Sequence, residues 1–108
     1  MPTGYEYAYE NNRNTTIEVG VTAVKIMERV PKGTRIAFSL GNESTGAQII
    51  TLGFGEAGAV NEGIAMRIGG KHMEAKSEGF EPFNGEVWAI SSGASAILSI
   101  YERQRAVM

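Results

Sequence analysis

The chain has 108 residues, 43% of them apolar, with ten basic and twelve acidic side chains and a net charge of −2. That is the length of one domain around one hydrophobic core, and the interspersed charge contains no basic block of the kind that tracks a nucleic-acid backbone. Cysteine is absent, which excludes disulfides, thiolate nucleophiles and cysteine-held metals.

The first fourteen residues are polar and tyrosine-rich. Tyr5, Tyr7 and Tyr9 recur at every second position, alternating with Glu6, Ala8 and Glu10. An extended segment of this kind puts three aromatic rings on one face, which is costly to leave in water. Such a segment suits an edge strand or an extended arm laid along a partner, and residues 1–14 are expected to form the arm. The start of the chain has neither the basic residues nor the apolar stretch of a secretion signal, and no run approaches the ~18 apolar residues that span a bilayer. A soluble protein made in a cytoplasm is expected, with no membrane partner.

From residue 15 the dominant signal is short, β-branched segments separated by glycine-containing turns. Residues 15–19 alternate, with Ile17 and Val19 on one face, and 23–27 place Val24 and Ile26 together. Val30-Pro31-Lys32-Gly33 reads as a turn, because proline presets its first corner and glycine accepts positive φ. Residues 35–40 form the clearest strand, with Ile36, Phe38 and Leu40 directed inward and Arg35, Ala37 and Ser39 outward. After the loop 41–46, residues 48–54 turn Ile50, Leu52 and Phe54 to the core. These two strands are predicted to pair antiparallel at the centre of one sheet.

Beyond Gly55 the sequence is small and irregular as far as Ala59, and then Ile64, Met66 and Ile68 alternate. Residues 71–76 read as a weak strand and 77–85 as a loop carrying Phe80, Pro82 and Phe83. The last two strands, 86–91 and 96–102, are joined at Ser92-Gly93-Ala94-Ser95. Glycine occurs fourteen times, and each one inside a helix would cost ~1 kcal/mol. The prediction is therefore all-β: an antiparallel, jelly-roll-like β-sandwich of about eight short strands over 15–103, followed by a short tail, 104–108. Ile36, Phe38, Leu40, Ile50, Leu52, Phe54, Ile90, Leu98 and Ile100 are its predicted core.

Candidate chemistry is sparse. His72 is the sole histidine, and no aspartate or cysteine exists to complete a metal site or a nucleophile–base pair with it. Calcium and magnesium loops also lean on the short aspartate arm that the chain lacks. Glu78, Glu81 and Glu86 lie close in sequence, but solvated loop carboxylates are far commoner than an acid–base pair. Gly53-Phe54-Gly55 would cradle a phosphate only if it led into a helix start, and here strands lead to strands. No catalytic residue, cofactor or metal is expected. The side chains suited to binding a partner are Tyr5, Tyr7, Tyr9, Phe83 and Trp88, as a protein contact or as a platform on which a sugar stacks. A tryptophan half-buried on a strand is the plainer role for Trp88.

Three blocks in order carry a resemblance. They are Thr22-Ala23-Val24-Lys25-Ile26-Met27 with Pro31 and the strand from Arg35; 46–55, GAQIITLGFG, followed by Gly63-Ile64-Ala65-Met66; and 86–94, EVWAISSGA, closing on Leu98-Ser99-Ile100-Tyr101-Glu102. This succession, over roughly 15–103, resembles small β-sandwich proteins encoded among the head genes of tailed bacteriophages. Those proteins usually carry Pro-Gly in the turn where this chain has Ile68-Gly69. The resemblance implies a virion component on the capsid surface, made in the host cytoplasm. It would be a decoration or cement protein bound to the major capsid protein and acting as a homo-oligomer, a trimer by preference. A carbohydrate- or receptor-binding module of a fibre or tail is the alternative that the same sandwich allows.

Overall fold

The computed structural model describes residues 10–105, and no helix occurs among them. Eight strands follow one another: β1 (Glu10–Val19), β2 (Val24–Met27), β3 (Arg35–Asn42), β4 (Ile50–Phe54), β5 (Ile64–Met66), β6 (Lys71–Ala75), β7 (Val87–Ser91) and β8 (Ala96–Arg105). They form two four-stranded antiparallel sheets, ordered β1-β8-β3-β6 and β2-β7-β4-β5. β1 pairs with β8, β2 with β7, β3 with β6 and β4 with β5, so the chain is one long hairpin rolled up until alternate pairs fall in opposite sheets. The β3–β8 and β4–β7 pairings close each sheet. That is the jelly-roll arrangement.

The core lies between the sheets. Val19, Ile26, Met27, Phe38, Leu40, Ile50, Leu52, Met66, Val87, Ala89, Ala96, Leu98 and Ile100 are buried, with Ile17, Phe54 and Phe83 packed against them. Alternation along each strand supplies this inner face. Six of the nine predicted core residues are fully buried; Ile36, Phe54 and Ile90 are half-buried.

Four predicted details differ. β3 and β4 are not hydrogen-bonded neighbours. They lie in opposing sheets, and each finds its partners elsewhere. Ile90 points outward, because β7 buries Val87, Ala89 and Ser91 instead. Arg35 is wholly buried. The register passes from Arg35↔Gln104 to Ala37↔Arg103, so Ile36 is an extra residue, a β-bulge, and Arg35 shares the inner face with Phe38 and Leu40. A similar step on β2, from Lys25↔Trp88 to Met27↔Val87, lets the consecutive Ile26 and Met27 both face inward while Val24 stays exposed. Finally, β1 starts at Glu10, and residues 10–14, expected in the arm, pair in register with 101–105.

Two glycines hold close contacts that no side chain could share. A Cβ on Gly53 would lie 2.5 Å from the Glu56 carbonyl oxygen, because the 55–62 segment folds back over the outside of β4. On Gly63, at φ 150°, it would lie 2.1 Å from the Leu52 carbonyl oxygen. Asn61 N–H donates to Thr51 Oγ1 at 2.9 Å, which fixes the same segment to the strand and buries Thr51.

Candidate functional site

The strand directions give the sandwich two unlike ends. At one end, the connections 20–23, 43–49, 67–70 and 92–95 each step from one sheet to the other. At the other end lie the segments 28–34, 55–63 and 76–86, the last two longer than any connection at the first end, beside the paired Glu10 and Arg105. The described residues begin at Glu10 and end at Arg105, both at this second, broad end. Tyr5, Tyr7 and Tyr9, expected in a partner-binding arm, precede Glu10 in the sequence. The three tyrosines themselves lie outside the described residues.

The centre of the broad end is the Arg35 guanidinium. Its Nε donates to Glu102 Oε2 at 2.7 Å, one terminal nitrogen donates to the carbonyls of Phe83 (2.7 Å) and Gly85 (3.1 Å), and the other donates to the Glu28 carbonyl (2.7 Å). Glu102 Oε2 also accepts from Gln104 Nε2 at 3.0 Å. The Phe38 ring packs 5.8 Å from the guanidinium carbon. Arginine suits this position because it offers five donors in a rigid fork, and a buried cation needs nearly all of them engaged. Its bonds tie β3 and β8 of one sheet to the end of β2 and the approach to β7 in the other.

Phe83 is held on three sides. Its N–H donates to Glu74 Oε1 at 2.9 Å, its carbonyl accepts from Arg35, and its ring meets Phe54 edge-on with centroids 5.4 Å apart. Glu74 Oε2 pairs with His72 Nε2 at 2.9 Å. Because a carboxylate only accepts, that nitrogen carries the hydrogen. The His72 ring also packs on Phe38 (5.9 Å) and edge-on against Phe54 (5.4 Å). His72 is thus an edge-of-core residue that orients Glu74, which in turn fixes the 76–86 segment.

Trp88 lies elsewhere, on the outer face of its sheet, between Lys25 on β2 and Gly53 on β4. It is half-buried, and its Nε1 donates to Glu86 Oε1 at 2.9 Å. Lys25 bridges Glu28 at 3.1 Å and approaches Glu86 at 4.0 Å. Phe83 and Trp88 therefore do not form a joint platform. The three glutamates considered for acid–base work are also separate: Glu86 holds Trp88, Glu81 pairs with Lys76, and Glu78 stands in solvent. The Lys76 ammonium beside it holds the Glu81 carboxyl below the usual carboxylate range.

At the narrow end the organising residue is Asn42, also wholly buried. Its Nδ2 donates to the carbonyls of Gln48 and Met66, both at 2.9 Å, and its Oδ1 accepts from Ser44 N–H at 3.0 Å. Ser44 Oγ in turn accepts from Ile97 N–H at 2.9 Å. Sequence reasoning missed Arg35, Asn42 and Glu102. The available signal was weak: Arg35 opens the largely apolar start of β3, while Glu102 stands among Arg103, Gln104 and Arg105 in a polar strand end.

Among the described residues, no group of three or more His, Asp or Glu side chains is placed to hold a metal ion. Comparison with family models, with curated proteins and with solved structures finds no match to this chain.

Proposed function

We propose that this chain is a structural protein of a tailed-phage virion: a capsid decoration protein that binds the outside of the head as a homo-oligomer and stabilises it. One observation carries the non-catalytic part of this reading. Arg35, Asn42, Ser44, Thr51, Ser91 and Glu102, the buried polar residues among those described, all direct hydrogen bonds to the scaffold itself. An active site keeps buried polar groups aimed at a substrate. Here they lock the sheets and loops together, as suits a rigid body that adheres.

The phage assignment rests on the succession of sequence blocks described above and on the sandwich fold that such proteins share, and fold alone does not give function. The tyrosine-bearing arm is the contact element in this reading. Glu10, which follows it in the sequence, lies at the loop-built end, where the two longest connections among the described residues, 55–63 and 76–86, are found. Trp88 and Phe83, whose polar and ring contacts are taken up within the chain, serve the scaffold in this reading.

The test is co-sedimentation of the purified protein with phage heads that lack it, followed by cryo-microscopy of the complex. Saturable binding at regular lattice positions is expected, weakened when the arm is removed. Absence of binding to any head preparation, or substrate turnover by the purified chain, would sink the proposal.

A further inference from the structure

We infer that β1 is a self-association edge, through which two copies of this chain join antiparallel about a two-fold axis. The inference goes beyond the capsid reading, since it concerns the free protein in solution.

Each sheet leaves two edge strands, which are β1 and β6 in one and β2 and β5 in the other. An open edge is a row of unpaired N–H and C=O groups, and folded proteins blunt such edges by shortness, bulges, proline or charge. Three of the four are blunted here. β5 has three residues; β2 has four and a bulge; β6 has five and begins at Lys71. β1 is the exception. It has ten residues with no proline or glycine, and all ten pair with β8 in one unbroken register. No strand among the described residues covers its other side. Its charges are Glu10 and Glu18 near the two ends and Arg13 between them; Arg13 reaches across the sandwich, where a terminal guanidinium nitrogen donates to the Ile26 carbonyl at 2.8 Å.

The sequence of β1 also fits itself. Residues directly opposed in an antiparallel pair share a face, so a two-fold axis must pass through a residue. Centred on Arg13, two guanidinium groups meet. Centred on Asn14, Glu10 faces the partner's Glu18 at both ends of the overlap. Centred on Thr15, threonine meets threonine, Asn14 meets the partner's Thr16, and Asn12 meets the partner's Glu18. This register opposes no like charges, and it keeps nine residues, 11–19, in overlap. Cross-strand threonine and asparagine pairs of this kind are favourable, with roughly one backbone hydrogen bond for each overlapping residue. A two-fold contact closes at two copies, so a pair is the unit in solution, where the phage resemblance alone implies a trimer.

The experiment is sedimentation equilibrium of the full chain over a concentration series, beside the double variant Asn14→Lys/Thr16→Lys. Both positions are exposed on the outer face of β1, so the fold should persist, and circular dichroism checks that it does. The register sets each lysine against the partner's other lysine. A reversible dimer is expected for the native chain, with its dissociation constant raised at least about tenfold in the variant, since opposed like charges cost several kcal/mol. A second variant, Thr15→Cys, provides a cross-link in a chain that has no other cysteine; oxidation should give a covalent dimer. A native chain that stays monomeric, a trimer, or a dimer indifferent to the two lysines would each overturn the inference. None of these results bears on whether the chain binds phage heads.

Discussion

Arg35 and Asn42, seven positions apart on β3 and both wholly buried, fasten the two sheets at opposite ends of the sandwich. One does so with charged donors and the other with a neutral amide. Seven residues of strand span roughly 23 Å, so the pair brackets most of the hydrophobic layer. The apolar residues between them are non-directional in their attraction; these two side chains specify which carbonyls must face each other.

Arg35→Met should be among the most damaging single changes. It leaves the Glu102 carboxylate buried and unpaired and removes the donors of the Glu28, Phe83 and Gly85 carbonyls. Breaking a buried pair from one side costs about 3–5 kcal/mol. Adding Glu102→Leu should recover only part of that loss, because the three carbonyls still lack donors. Urea unfolding of both variants checks this, and full recovery in the double variant would mean that the carbonyl contacts contribute nothing.

Asn42→Leu keeps the branched skeleton of the narrow-end fastening, with somewhat greater bulk, and removes its hydrogen bonds. The Gln48 and Met66 carbonyls and the Ser44 N–H lose their partner, at roughly 1–3 kcal/mol for each group left unpaired. Asn42→Asp should be worse at neutral pH, since a carboxylate would face two carbonyl oxygens. The deficit of Asn42→Asp relative to the native chain should shrink on acidification, when protonation restores one donor. Thermal melts across a pH series would show the convergence.

The 67–70 turn offers a stabilising change. Gly70 N–H donates to the Arg67 carbonyl at 2.7 Å, and Gly69 has φ 80°. That is the pattern of a type II turn, whose first corner favours proline. Ile68 occupies that corner and is 51% exposed. Ile68→Pro should raise stability by about 0.4–1 kcal/mol by restricting the unfolded chain, seen as a melting temperature a few degrees higher. Gly69→Ala should lower it, because a Cβ is strained at that φ.

Acid should weaken one surface contact in a defined direction. The Glu81 carboxyl is held below its ordinary value by hydrogen bonding to Lys76. A depressed carboxyl contributes above its unfolded value and loses that contribution as pH falls through the folded value. The pair is exposed, so the effect is small and screened by salt. Lys76→Ala should return the Glu81 titration, followed by NMR, toward the ordinary range.

Period-two hydrophobicity made the strands, the fold class and most of the core readable. Phe38, Leu40, Ile50 and Leu52 face inward whether β3 and β4 lie side by side or across the core from each other, so alternation identified the face and could not identify the neighbour. Arg35 was misplaced because a one-residue bulge at Ile36 inverts the parity that alternation assumes. Ile90 was expected in the core, yet the inward position opposite Leu52 on β7 takes the small Ala89. The buried fastenings were illegible for a different reason. An arginine is acceptable inside only when several carbonyls converge on it, and residues 28, 83 and 85 meet at Arg35 only in the folded chain. Trp88, read as half-buried on a strand, is found so.

The rolled-hairpin topology also constrains how the protein can be made. Among the described residues β1 has one strand neighbour, β8, and β8 also supplies the inner partner of β3. During synthesis β1 must therefore wait for β8, about eighty or more residues later in the chain. The β1-β8-β3-β6 sheet cannot be completed before β8 is made, whereas β2-β7-β4-β5 needs no residue beyond Ser91, and pairings between segments as distant as β1 and β8 form slowly. The strands β1 and β3 should thus be secured only once β8 is present, and chains truncated before residue 96 should be protease-sensitive along β1, which then lacks its strand partner among the described residues.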